Sequence, residues 1–69
     1  MQTLYIEKNL QQQSICEKFL TSVNQKHPEL KLIYSYEQST DRSVVFKINF
    51  SLEYPALADE MVKKLYSIN

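Results

Sequence analysis

Two arms of strict apolar alternation, Leu30 to Glu37 and Ser43 to Leu52, constrain this chain more than any other feature. In the first, Leu30, Leu32, Tyr34 and Tyr36 recur with period two; in the second, Val44, Phe46, Ile48, Phe50 and Leu52 do the same. A side-chain period of two is that of a strand with one buried face, so the pair reads as an antiparallel β-hairpin. If both apolar sets share a face, directly opposed residues have numbers with an even sum, and Tyr34 is predicted opposite Phe46. An even sum requires an odd-numbered loop. Three residues, Ser39-Thr40-Asp41, fit best, with Gln38 facing Arg42. Such loops usually place Gly in the left-handed region. The chain has no Gly at all, so Asp41 is the expected substitute.

The flanking segments supply one more strand and two helices. Met1 to Lys8 alternates with Leu4 and Ile6 on one side and Thr3, Tyr5 and Glu7 on the other, which predicts a strand. Asn9 and Ser14 each offer a helix start. Asn9 has Gln12 in the reciprocal position, whereas Ser14 and Glu17 make the better capping box, and Leu10 lies off the apolar stripe, which favours the later start. The stripe is Ile15, Phe19 and Val23, flanked by Cys16 and Leu20. Lys26 and His27 suit a helix C-terminus, and Pro28 stops the helix because the residue before a proline avoids αR. Pro55 fits a first helical position. From there Leu57, Met61, Leu65 and Ile68 form a second stripe beside Ala58 and Val62, while Asp59–Lys63 and Glu60–Lys64 are i,i+4 pairs in the favourable orientation.

The predicted architecture is a single α+β domain over residues 1–69, of order β-α-β-β-α. Each helix has one apolar stripe and the hairpin one strongly apolar face, so both helices belong on the same face of the sheet. The most apolar strand takes the centre, giving a three-stranded antiparallel sheet of order 2-3-1. A domain this small buries only about 60% of the surface its unfolded chain exposes. Cys16 is the one cysteine and His27 the one histidine, so neither a disulfide nor a Cys/His metal site is expected to reinforce it. Oligomerisation or docking on a partner is the expected supplement.

Catalysis finds little support in the residue pattern. Cys16 and His27 lie three turns apart on one helix, and Cys16 falls on or beside the buried stripe. Asp59 and Glu60 diverge by about 100° around their helix. Without Gly, no phosphate-cradling loop is available. No catalytic, metal or cofactor residues are therefore assigned, and no family signature stands out. Eight basic and eight acidic side chains cancel, which weakens a nucleic-acid reading because that partner usually demands a basic stripe. No apolar run approaches the roughly 18 residues of a membrane span, and no leader pattern follows Met1, so a cytoplasmic protein is expected.

Parity leaves one face of the sheet for binding. It carries Tyr5, Ile33 and Val45, with Ser35, Lys47, Asn49 and Glu37 around them. In the predicted register Ile33 opposes Lys47 and Val45 opposes Ser35, making Ile33 and Val45 diagonal neighbours. The arm from Leu30 to Glu37 is also an edge strand with only Lys31 and Glu37 as charged guards. These features favour a small interaction or regulatory module, of the inhibitor or accessory-subunit type. Its expected partner is another protein or a second copy of itself, as a homodimer, and the protein-binding set is Tyr5, Ile33, Ser35, Val45 and Lys47. The alternative is a single-stranded nucleic-acid binder that stacks bases on sheet aromatics. It suffers because Tyr34, Tyr36, Phe46 and Phe50 have the parity of the covered face.

Overall fold

The computed structural model describes residues 1–68. Strand β1 (Gln2–Asn9) leads through a single 3-10 turn (Leu10–Gln12) into helix α1 (Gln13–Lys26). A second 3-10 turn (Pro28–Leu30) is followed by β2 (Ile33–Gln38), β3 (Ser43–Phe50) and α2 (Pro55–Ser67). The sheet is antiparallel throughout with β3 in the centre, in the order β1-β3-β2. This is the 2-3-1 arrangement that the apolarity of the central strand predicts.

Parity holds across all three strands. Ile6, Val44, Phe46, Ile48 and Phe50 are buried in one cluster with Cys16, Leu20 and Val23 of α1 and with Ala58, Met61 and Leu65 of α2. Both helices therefore cover the same face. Phe46 sits at the centre of this layer, fully buried, with the rings of Tyr36 and Tyr34 at centroid distances of 5.4 and 6.4 Å. Burial of a Phe, Leu or Ile side chain contributes roughly 1.5–3 kcal/mol each, so this cluster is the main source of stability.

The hairpin register differs from the prediction by two residues. Tyr34 pairs with Ile48 and Tyr36 with Phe46, and the Ser39 N–H donates to the Ser43 carbonyl at 2.9 Å. The three-residue tip is therefore Thr40-Asp41-Arg42, one position later than expected. Its geometry is fixed by a hydroxyl: Thr40 Oγ1 accepts from the Arg42 and Ser43 amides, both at 3.1 Å. A side-chain acceptor of this kind organises a turn without a left-handed residue, and Asp41 does not adopt one. Among the described residues, the non-glycine position with positive φ is Lys31, at 51°.

Lys31 also corrects the first arm. The left-handed residue caps the Pro28–Leu30 turn, so regular strand pairing starts at Ile33 and not at Leu30. Leu30 and Leu32 remain buried, and the Leu30 carbonyl accepts from Ser51 N–H at 2.8 Å. At the other end β3 stops at Phe50, and a bend turns Leu52 out to solvent. Ser51 Oγ accepts from the Glu53 amide at 3.1 Å within that bend.

Of the two helix-start signals, only the one at Asn9 operates, and in modified form. Asn9 caps the 3-10 turn, its Oδ1 accepting from Gln11 N–H at 3.1 Å, and α1 continues from that turn at Gln13. Ser14 lies inside the helix, so its capping box is unused. The buried stripe of α1 is Cys16, Leu20 and Val23, which rotates Ile15 outward to 51% exposure. Helix α2 begins at Pro55 as expected, and its two ion pairs, Asp59–Lys63 and Glu60–Lys64, both close at 3.1 Å.

Lys8 has the inward parity of β1 and is only 9% exposed. Its Nζ donates to the carbonyls of Ile68 at 2.8 Å and Tyr66 at 3.4 Å. These groups lie at the C-terminal end of α2, where the last carbonyls have no helical donor and carry the negative end of the dipole. One lysine thus ties the first strand to the last helix. Lys8→Met keeps the apolar stem and removes the donor; it is expected to destabilise the fold by about 1–3 kcal/mol, read as a lowered urea midpoint at unchanged m-value.

Candidate interaction surface

The face of the sheet away from the helices is a grid set by the two ladders. Its rows are Thr3–Asn49–Ile33, Tyr5–Lys47–Ser35 and Glu7–Val45–Glu37. The five residues assigned from the sequence, Tyr5, Ile33, Ser35, Val45 and Lys47, all fall on it. Tyr5 and Ile33 are each 63% exposed, and Val45 is half-buried. Thr3 Oγ1 donates to Asn49 Oδ1 at 2.6 Å, stiffening the first row.

The two-residue shift in the hairpin changes the neighbours within this grid. Ile33 opposes Asn49 and Val45 opposes Glu37, so the row containing Lys47 and Ser35 separates them. Val45 is instead the diagonal neighbour of Tyr5 across the β1–β3 ladder, between Glu7 and Glu37. The expected Ile33–Val45 cluster is therefore divided into a Tyr5–Val45 pair and a lone Ile33. Three strands about 4.8 Å apart and six residues long cover only about 300 Å². A standard interface buries about 800 Å² per partner, so this face alone supports a weak contact.

Hydrogen-bond directions determine what the two sheet edges offer. Leu10 N–H donates to Arg42 at 2.7 Å in line with the β1–β3 register. Antiparallel ladders alternate bonded and non-bonded pairs, so the even residues of β1 bond to β3, and Thr3, Tyr5 and Glu7 aim their amides and carbonyls at the free edge. On β2, the Ser39–Ser43 bond sets the opposite phase: Ile33, Ser35 and Glu37 bond to β3, and Tyr34 and Tyr36 have the outward backbone.

The aromatic rings distribute as parity requires. Phe46 and Phe50 are buried, Tyr34 is half-buried with its hydroxyl 3.4 Å from Thr21 Oγ1, and Tyr36 reaches the rim at 41% exposure. Tyr5 is the sheet aromatic on the helix-free face. Between α1 and α2 lies a shallow groove of about 160 Å³, floored by Phe19, Val23, Leu30, Leu57 and Met61. The sequence reading missed it because two apolar stripes on one sheet face do not reveal how closely their helices approach. It is small beside ligand pockets of about 300–1,000 Å³, and Lys64 on its rim is already paired with Glu60.

Cys16 is fully buried, and burial pushes its thiol pKa above the ordinary value, with the Lys8 charge opposing that shift. His27 closes the far end of α1, about 16 Å away at the helical rise, where Nδ1 lies 4.0 Å from the Glu29 carboxylate. The two are not brought together. Among the described residues, no group of three or more metal-ligating side chains occurs, and no helix is long and apolar enough to cross a membrane. Comparison with protein-family models, curated proteins and solved structures finds no match.

The thiol has a consequence for stability against pH. The folded chain holds the Cys16 proton more tightly than the unfolded chain does. The associated stability is intact below the ordinary thiol pKa and is lost as pH rises through the elevated folded one. Urea midpoints are expected to fall as pH rises above the ordinary thiol pKa toward the elevated folded one, and Cys16→Ala is expected to flatten that slope relative to the unsubstituted chain.

Proposed function

We propose that this chain is a small cytoplasmic interaction module of the regulatory kind, an inhibitor or accessory subunit that acts without catalysis. It works by presenting the helix-free sheet face to another protein or to a second copy of itself. The observation that carries this reading is the exposure of Tyr5 and Ile33 on that face, where Val45 and Lys47 complete a mixed apolar and polar surface. Desolvating Tyr5 and Ile33 offers about 1.5–3 kcal/mol each. A buried, solitary thiol suits a reducing compartment. The near-neutral surface and the covered phenylalanines favour a protein over a nucleic acid as the partner.

Ile33→Asp tests the reading directly, since Ile33 is exposed and its loss leaves the core intact. Val45→Lys is the better second variant, because Val45 lies between Glu7 and Glu37 and a third carboxylate there would disrupt the sheet itself. Each is expected to weaken self-association or partner capture by roughly tenfold or more, with the circular dichroism spectrum unchanged. Unaltered sedimentation and capture in both variants would exclude this face. Salt-sensitive binding of a single-stranded oligonucleotide would transfer the assignment to nucleic acid.

A further inference from the structure

We infer that β1 is a self-pairing edge, which joins two copies of the chain through an antiparallel β1–β1 ladder centred on Tyr5. This goes beyond the open-face reading above, because the contact is a backbone edge and Ile33 lies on the opposite edge strand of the sheet. The basis is the treatment of the strand's own charges. Edge strands are ordinarily guarded by lysines, prolines or bends, and β1 runs eight residues without a proline or a positive φ. Its one lysine, Lys8, is turned inward onto the last carbonyls of α2. The residue that would protect the edge is thereby spent on the fold, and Glu7 is the remaining charge. By contrast, β2 has six residues, follows the left-handed Lys31, and has Thr21 of α1 against Tyr34.

The two-fold arrangement is self-complementary. Thr3, Tyr5 and Glu7 have the outward backbone groups, so a ladder centred on Tyr5 forms the bonded pairs Tyr5–Tyr5, Thr3–Glu7 and Glu7–Thr3, about six hydrogen bonds in all. No like charges are opposed. Glu7 faces Thr3, Gln2 faces Lys8, and half-buried Leu4 meets Ile6 on the helix side. Centring on Ile6 instead would place Leu4 against Lys8 and oppose Thr3 to Asn9, whose side chain already caps the 3-10 turn. On the open side the ladder joins two grids into one six-stranded surface of about 600 Å² at normal strand spacing, with the Tyr5 rings adjacent at its centre.

Sedimentation of the full chain and its variants across the micromolar range tests this. A concentration-dependent dimer is expected. Tyr5→Pro removes an amide that points away from β3 and breaks no bond within the monomer, yet it is expected to raise the dimer dissociation constant by roughly 30-fold. Thr3→Glu opposes two carboxylates in the Tyr5-centred register, where residue 3 faces Glu7, but not in the Ile6-centred one, where it faces Asn9; it is expected to weaken the dimer, whereas Thr3→Lys strengthens it. A chain that stays monomeric throughout overturns the inference. So does a dimer untouched by Tyr5→Pro and Thr3→Glu; if Ile33→Asp dissociates that dimer, the open-face reading stands and the β1 ladder falls.

Discussion

Strand β3 is the element on which the rest of the molecule depends, because it alone is paired on both sides while one of its faces is wholly inside. Val44, Phe46, Ile48 and Phe50 are all buried, and the two ladders hold every one of them at a fixed height against the helices. The two neighbouring strands contribute much less to the core: β1 adds Ile6 and part of Leu4, and β2 adds half of Tyr34. Their role is to satisfy the backbone of β3, whose amides and carbonyls would otherwise be buried without partners. The helices then close the layer with Cys16, Leu20 and Val23 on one side and Ala58, Met61 and Leu65 on the other.

What the sequence made legible follows from which interactions have a period. Side-chain alternation fixes the face on which each strand residue sits, and so the open-face set Tyr5, Ile33, Ser35, Val45 and Lys47 is legible from the period alone. It does not fix register beyond parity. A slip of two residues preserves every inside and outside assignment, and the decision fell to Thr40, whose hydroxyl organises the tip one residue later than a left-handed Asp41 would have done. That slip parted Ile33 from Val45. Helix phase was similarly underdetermined, since Ile15 and Cys16 both border the apolar stripe and only the position of the sheet decides between them. The ends of the arms escape the alternation because aperiodic events intervene: Lys31 adopts the left-handed region before β2, and a bend follows Phe50.

Lys8 illustrates a different limit. Its inward parity could be read from the alternation of β1, but a lysine at the end of a short strand looks like a solvated residue. Its partners are carbonyls sixty residues away at the end of α2, and no local pattern announces that contact. In a chain with no disulfide and no metal cluster among the described residues, a charge-assisted bond joining the two ends of the sequence contributes a meaningful fraction of a small stability margin.

The two edges of the sheet have the same side-chain alternation and different backbone phase, and this distinction governs what each can recruit. On β2 the residues with outward amides and carbonyls, Tyr34 and Tyr36, send their side chains to the helix side. On β1 the outward backbone belongs to Thr3, Tyr5 and Glu7, whose side chains lie on the open face. Backbone pairing and side-chain contact are therefore available from the same three residues. An added strand at β1 would also extend the ladder that already holds β3, and mass action would then stabilise the monomer fold in proportion to how well the edge is occupied. For a domain whose core is one sheet face deep, coupling between edge occupancy and folding follows from the geometry of a single strand.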